Sequence, residues 1–131
     1  MHTRRFSFVI TSAALATAAV SQAAVNQTSL GGTHWGAVMA HPACPKDDIA
    51  FQSDGLATIE VMTIDESVHK DHAIWALNGT ALNIKNQDIA ETFVGTLDGN
   101  EIRVTDSWTD NDGGRHNDAC TFRKYWTEPG S

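Results

Sequence analysis

The fold of this chain is decided by the stretch HAIWALNGTALNIKNQDIAETFVGTLDGNEIRV, residues 72–104. Apolar and polar side chains alternate along most of it, which is the pattern of a strand with one buried face. The alternation breaks at Asn78-Gly79, at 86–88 and at Asp98-Gly99. Asn-Gly and Asp-Gly are strong hairpin signals because the central residues of the favoured turn take a positive φ. The stretch therefore predicts antiparallel strands joined by tight turns.

The same rhythm continues on both sides of this stretch, and no window of eleven or more residues shows a helical stripe. We predict an all-β domain, an eight-stranded antiparallel up-and-down barrel, because closure leaves no exposed strand edge. A two-sheet β-sandwich is the alternative, since alternation alone does not count the contacts within a sheet. The eight predicted strands are residues 34–40, 48–53, 56–64, 72–78, 80–86, 89–97, 101–109 and 119–126.

Alternation also assigns the side chains that face the interior, and an eight-stranded barrel either is filled by them or holds one small ligand. Six interior aromatic residues are candidate ligand-binding positions: Trp35, Phe51, Trp75, Phe93, Trp108 and Phe122. Gly95 and Ala37 are expected to leave room beside them. The remaining inward positions are Ala37, Met39, Ile49, Ile59, Val61, Leu77, Leu82, Ile84, Leu97, Ile102, Val104 and Cys120.

The first 23 residues have the layout of a secretory signal peptide. Arg4 and Arg5 form a positive start, residues 6–20 are largely apolar, and residues 21–23 place small side chains before a cleavage site. The apolar stretch is shorter than a membrane span and is interrupted by hydroxyl residues. We therefore predict a signal peptide at 1–23, a single β-barrel domain at 24–131, and a periplasmic or secreted protein without a membrane span.

The predicted mature chain is acidic. Without Arg4 and Arg5 it has seven basic and sixteen acidic side chains, a net charge of −9. Such a field repels the phosphates of nucleic acids and anionic lipids, so neither is an expected partner. A basic protein surface would be attracted, although solubility also accounts for an acidic surface. We expect a monomer.

Two cysteines, Cys44 and Cys120, allow one pairing. In an exported protein they predict a disulfide rather than a reactive thiol. If the first and last strands pair, as closure of the barrel requires, Cys44 just after the first strand lies near Cys120 in the last, and the disulfide fastens the seam between them. Closing the loop between them stabilises the fold by roughly 4 kcal/mol.

The opening SLGGTHWGAV, in which Gly32 precedes Trp35, is similar to the glycine–tryptophan start of lipocalin-like, or calycin-type, barrels. The hairpins WALNGTALNI and FVGTLDGNEIRV resemble those of small secreted bacterial barrels of that kind. The lipocalin signature has one residue between Gly and Trp, whereas Thr33 and His34 both intervene here. The resemblance implies a cup for a small apolar ligand or a scaffold for a protein contact. It also implies a basic residue of the last strand near Trp35, for which Arg123 and Lys124 are the candidates.

The acidic stretch DSWTDNDGGRHND, residues 106–118, raises the question of a calcium site. With Gly113 at position 6 of an EF-hand loop, Trp108 and Ala119 fall at positions 1 and 12, where carboxylates are required. An irregular site built from Asp106, Asp110, Asp112 and Asp118 is the remaining calcium hypothesis. A solvated hairpin tip at 110–114 explains the composition better, because turns favour Asp, Asn and Gly.

His69 and His72 are a weaker zinc hypothesis. The segment that begins at His69 lies between predicted strands and ends at the first residue of the strand 72–78, and no third ligand has a diagnostic spacing. His41 and His116 are also expected in loops, whereas His34 alternates outward. We predict no metal and no cofactor.

Asp106 is the most informative single residue, because it shares a strand face with Val104 and Trp108 and is expected to point inward. Such a carboxylate is a candidate general base, an anchor for a polar ligand, or a partner for Arg123. No second carboxylate is paired with it in the sequence. The expected function is binding, either of a small hydrophobic ligand in the barrel or of a protein at its loops, as an inhibitor does. The alternative is a barrel enzyme of cyclase or isomerase type that uses Asp106.

Overall fold

The structure is a computed structural model, and it describes residues 30–38, 44, 46–62, 65 and 67–129. The predicted signal peptide, Met39 and His41 lie outside the described residues. The strands are β1 (Thr33–Ala37), β2 (Asp48–Phe51), β3 (Leu56–Met62), β4 (Val68–Asn78), β5 (Ala81–Asn86), β6 (Glu91–Asp98), β7 (Glu101–Thr109) and β8 (Arg115–Thr127).

The eight strands form one closed antiparallel barrel. Each strand pairs with its neighbours in sequence, and β1 also pairs with β8. The predicted up-and-down barrel is confirmed. The two-sheet sandwich is wrong, because hydrogen-bonded ladders continue around the whole ring of strands.

Consecutive connections lie at opposite ends of the barrel, because neighbouring strands run in opposite directions. The end that carries the β5–β6 connection (87–90) and the β7–β8 connection (110–114) is called the polar end here. The other end carries the hairpins at Gly79 and Gly99, whose φ angles are 63° and 61°. The positive φ that Asn-Gly and Asp-Gly predict is therefore present in both turns.

Two strands begin earlier than the sequence predicts. β4 begins at Val68, which pairs with Met62, and β8 begins at Arg115, which pairs with Thr109. Apart from Val68, the side chains on both faces of these strand starts are polar, so the apolar pattern does not reveal them. The prediction that His69 and His116 lie between strands is wrong, since both lie within strands.

The core occupies the barrel interior, as alternation predicts. All described members of the predicted inward set are buried or half-buried. The ring of Phe51 packs edge to face against two tryptophans, with its centroid 6.5 Å from that of Trp35 and 5.7 Å from that of Trp75. Such aromatic contacts favour the folded state beyond the burial of their area.

The expectation of room beside Gly95 is wrong. A β carbon at this position would lie 1.9 Å from the carbonyl oxygen of Arg103 on β7. Gly95 therefore allows a close approach of two backbones, and it leaves no space for a ligand.

The seam between β1 and β8 is crossed by the Cys44–Cys120 disulfide, with Cα atoms 5.0 Å apart. Both cysteines are buried, and Cys120 lies on β8. The predicted pairing and its place at the closure of the barrel are confirmed.

Lys124 lies opposite Trp35 in the β1–β8 ladder and is exposed. No helix among the described residues is long and apolar enough to cross a membrane.

Candidate ligand site at the polar end of the barrel

Four polar side chains continue the inward face of neighbouring strands at the polar end. Asp71 on β4, Asn86 on β5, Glu91 on β6 and Asp106 on β7 are all buried, with at most 4% of their surface exposed. Each lies an even number of residues from a core residue on its own strand, as Asp71 does from Ala73, and so points to the same side of the sheet. The barrel interior is therefore apolar along most of its length and polar at this end.

Asn86 connects this group. Its amide nitrogen donates to Asp71 and to Glu91, each at 2.9 Å. Its amide oxygen accepts from the backbone N–H of Asp88 at 2.8 Å and of Ile89 at 3.2 Å. One buried side chain thus ties β4, β6 and the β5–β6 connection together, which fixes one wall of the polar end.

Asp106 is fully buried, as its alternation predicts. Among the described residues, no donor reaches either of its carboxyl oxygens. The group it contacts is the carboxyl of Glu91, which also forms an ion pair with Lys46 at 3.1 Å. The expectations of no second carboxylate and of a possible bond from Arg123 are wrong, since Arg123 lies near Glu101 on the outer face.

The Asp106–Glu91 contact implies a shared proton, because two carboxyl groups hydrogen-bond only when one is protonated. Burial raises the pKa of Asp106 to about 9, and the contact with Glu91 and its charge add to this effect. Lys46 opposes the shift, and Asp118 contributes to it. Asp106 therefore holds its proton at neutral pH.

Trp108 lies at the rim and covers this group. Its ring stacks on His116 with centroids 4.2 Å apart, and its indole N–H donates to Asp118 at 2.7 Å. Lys46 lies 5.9 Å from the ring centroid. Trp108 is half-buried, so it does not share the fully buried setting of the other five predicted aromatic positions.

The acidic stretch forms the hairpin tip that turn composition predicts. One carboxyl oxygen of Asp110 accepts from the backbone N–H groups of Asp112 and Gly114, at 2.9 and 2.8 Å. The other contacts His116 at 2.7 Å. The bond with His116 and the backbone donors lower the pKa of Asp110. Its carboxylate organises the turn and positions the imidazole that stacks on Trp108.

His69 and His72 are on opposite sides of β4, because an odd separation along a strand reverses the face. His69 contacts Asp71 at 2.8 Å, and His72 contacts Asp88 at 3.2 Å. Within the part of the chain that the structure describes, no three His, Cys, Asp or Glu side chains are grouped as metal ligands.

A cleft of about 480 Å³ opens beside this group, at the ends of β5, β6, β7 and β8. Its volume lies in the range of small-molecule sites in proteins. Glu91 and Asn86 reach it from the buried network, and Trp108 forms part of its wall. The other lining residues are Lys85, Ile89, Ala90, Thr92, Ser107, Thr109, Arg115, His116 and Asn117.

Five predicted interior aromatic residues are outside this cleft. Trp35, Phe51, Trp75, Phe93 and Phe122 are buried in the hydrophobic core. The indole of Trp35 donates to Thr33 at 2.7 Å, and that of Trp75 donates to the carbonyls of Gln52 and Leu56 at 3.0 and 2.9 Å. Both indoles are thus held by the barrel itself.

Sequence reasoning missed Lys46, Asn86 and Glu91. For Asn86 and Glu91 a signal was present, since they have the parity of Ile84 and Phe93. Parity alone does not predict their burial, because polar residues at strand ends normally contact solvent. Lys46 gave no signal, because it precedes β2 and only the fold brings it to Glu91.

The chain matches no protein-family model, no curated protein and no solved structure.

Proposed function

We propose that this chain is a small-ligand-binding β-barrel protein whose ligand occupies the cleft at the polar end. The observation that carries the proposal is the connection between that cleft and the buried network through Glu91 and Asn86. A rigid barrel that presents a few fixed polar groups in one concavity is typical of small-molecule sites. The proposal places the protein among the lipocalin-like, or calycin-type, binding barrels, supported by its up-and-down topology.

The chemistry of the cleft favours a compact molecule with hydrogen-bond acceptors. The Glu91 side chain is buried and contacts Lys46 and Asn86, and the Asn86 amide is already committed to its four partners. Lys85 and Arg115 line the cleft with positive charge, which suits a ligand that carries an acceptor or an anionic group. The apolar ligand expected from the sequence stays a separate prediction, which requires a site among the core aromatic residues.

We also propose that the protein is exported and that residues 1–23 are removed. The disulfide supports this proposal, because such bonds persist in oxidising compartments. The exposed hairpin tips and the acidic surface suit a protein that works in solution outside the cytoplasm.

The four tryptophans provide the test, because together they report on three different regions of the protein. Trp35 and Trp75 lie in the core, Trp108 lines the cleft, and Trp126 lies on the outer face. Their indole N–H signals are assigned by single Trp→Phe variants, and the low-molecular-weight fraction of the host's exported compartment is then added. We expect a shift of the Trp108 signal. A shift confined to Trp35 and Trp75 contradicts the cleft and favours an apolar ligand within the barrel.

The second candidate function is acid–base chemistry in the same cleft, and the Asp106–Glu91 pair is the observation that favours it. A carboxyl group that holds its proton at neutral pH is a candidate general acid, and Glu91 connects it to the cleft. This function predicts that a molecule bound in the cleft is chemically converted by the wild-type protein and returned unchanged by D106N. Recovery of the same unaltered molecule from both proteins contradicts it.

A further inference from the structure

The outer face where β8 meets β1 carries two consecutive exposed aromatic residues, Tyr125 (59% exposed) and Trp126 (46% exposed). Consecutive residues of a regular strand point to opposite faces. Here the β1–β8 register shifts, so that Trp126 lies opposite His34 while Lys124 lies opposite Trp35. Tyr125 is the extra residue of this β-bulge. A bulge re-aims side chains, and this one leaves both rings exposed beside His34.

The three rings of Tyr125, Trp126 and His34 form what is called the seam patch here. His34 meets Trp126 edge to face, with centroids 4.7 Å apart, and meets Tyr125 in the same manner at 6.2 Å. The seam patch is thus one continuous aromatic surface. Contiguous exposed apolar surface of this kind marks interaction sites on soluble proteins.

Contacts within the barrel hold the seam patch in place. The hydroxyl of Tyr125 donates to the carboxylate of Asp48 on β2. The ring of Tyr125 lies over Gly36, where a β carbon would be 3.5 Å from it. An exposed aromatic ring that is already fixed loses little conformational entropy when a partner binds, and this favours its use as an anchor.

The seam patch has an acidic border. Asp48 bonds to Tyr125, Glu60 pairs with Asp48 in the β2–β3 ladder, and Glu128 lies 4.0 Å from His34. Lys70 offsets Glu60 at 3.3 Å. Burial, the bond to Asp48 and the two neighbouring carboxylates raise the pKa of Tyr125 to about 12. Arg123 and Lys124 are also exposed on β8, and Arg123 lies 4.0 Å from Glu101, so carboxylates outnumber basic side chains around the patch by four to three.

We propose that the seam patch is a docking surface for a protein partner that presents arginine or lysine side chains next to apolar ones. Tyrosine and tryptophan are enriched at protein interfaces, and a cation gains from both the ring faces and the surrounding carboxylates. A second copy of this chain would bring identical acidic borders together, which opposes self-association. The seam patch is on the outer face of β8 and β1, apart from the cleft, so this inference does not depend on the ligand.

Two synthetic peptides of equal length, one of arginine and leucine and one of glutamate and leucine, provide the test. Titration with the arginine–leucine peptide is expected to shift the Trp126 indole signal and to leave Trp108 unchanged. W126A and Y125A are each expected to weaken this binding by at least about tenfold, as truncation of a central interface aromatic does. V94A is the control, because Val94 is an exposed apolar residue (55%) on β6. E128Q is expected to weaken binding by about threefold, as loss of a border charge does.

Four results would overturn the inference. The first is equal binding of the arginine–leucine peptide by W126A, Y125A and V94A, which would mean that the peptide binds through the net charge of the protein and not through the aromatic rings. The second is equal binding of the glutamate–leucine peptide, and the third is absence of binding by either peptide. The fourth is a Trp126-dependent dimer in sedimentation velocity, or Trp126-dependent binding to phosphatidylcholine vesicles, in protein that does not bind the arginine–leucine peptide.

Discussion

Asp106 is the residue whose chemistry departs furthest from that of a free side chain. A buried carboxyl with no donor nearby avoids the cost of ionisation by keeping its proton, and Glu91 accepts the resulting hydrogen bond. Glu91 also forms an ion pair with Lys46 at 3.1 Å. The position of Asp106 is thus compatible with a stable barrel only because its proton is retained.

This retained proton makes stability depend on pH in a defined direction. The pKa of Asp106 rises from 3.8 to about 9 on folding. Its contribution is fully present below pH 3.8 and is lost as pH rises towards 9, because only the unfolded chain releases the proton in that window. The slope is at most about 1.4 kcal/mol per pH unit.

D106N removes this dependence while keeping a donor for Glu91. We expect D106N to equal the wild type in free energy of unfolding near pH 4 and to exceed it increasingly towards pH 9. Urea unfolding at a series of pH values measures the difference, and D98N, which alters an exposed carboxylate, is the control. Parallel wild-type and D106N profiles would contradict the retained proton.

Tyr125 gives a second prediction for a single residue, because it is the only tyrosine in the chain. Burial and the bond to Asp48 raise its pKa to about 12, so tyrosinate absorbance should appear well above its ordinary midpoint of 10.0. D48N removes the accepting charge and should lower the midpoint of the absorbance titration. A wild-type midpoint at the ordinary value would mean that the ring of the seam patch is not held by β2.

At the level of strands, alternation and turn residues predict most of the barrel. The hairpins at Gly79 and Gly99 and the inward parity of eight strands follow from local chemistry alone. The extra length of β4 and β8 does not, because apart from Val68 the added residues are polar on both faces and are strand only through pairing with β3 and β7. The bulge that exposes Tyr125 is likewise a property of pairing between distant strands.

The candidate site was predictable only in part for the same reason. Asp106 is found from its own strand, since Val104 and Trp108 share its face. Its partners come from β6 and from the segment before β2, and their contact depends on closure of the sheet. The strand pattern thus predicts that the Asp106 carboxyl points inward. Its contact with Glu91, and the ion pair of Glu91 with Lys46, depend on the fold.

The approach of β6 to β7 gives a prediction for these two strands. G95A places a β carbon against the backbone of Arg103 and Val104, which has no flexible end that can move aside. We expect a loss of about 3 kcal/mol in the free energy of unfolding. G36A is the matched control, since its β carbon would make an ordinary 3.5 Å contact with Tyr125. Equal, small effects of both substitutions would contradict the close approach.

For the whole molecule, closure of the barrel depends on the seam between β1 and β8. The disulfide near this seam joins two cysteines that are 76 residues apart in the chain. Replacing both cysteines in C44A/C120A should lower the free energy of unfolding by about 4 kcal/mol, because the unfolded chain regains the freedom of that loop. Guanidinium unfolding of the variant and of the oxidised wild type measures the loss. A difference below about 1 kcal/mol would mean that the disulfide contributes little to closure.

The whole barrel also separates its functions in space. The core aromatic residues stabilise the interior, the cleft at the polar end offers fixed hydrogen-bonding groups, and the seam patch presents aromatic surface to solvent. This separation allows one site to be blocked without loss of the fold. Ser107 and Thr105 provide a matched pair, since both lie on β7 and only Ser107 lines the cleft.

The most direct test of the binding proposal is native mass spectrometry of the wild type, S107W and T105W, each purified from the protein's own host. A tryptophan at position 107 fills the cleft, whereas one at position 105 lies on the same face of β7 but outside the cleft lining. We predict a retained small molecule on the wild type and on T105W and none on S107W. A wild-type protein without a bound molecule, or equal occupancy of S107W and T105W, would contradict the assignment of the cleft as the ligand site.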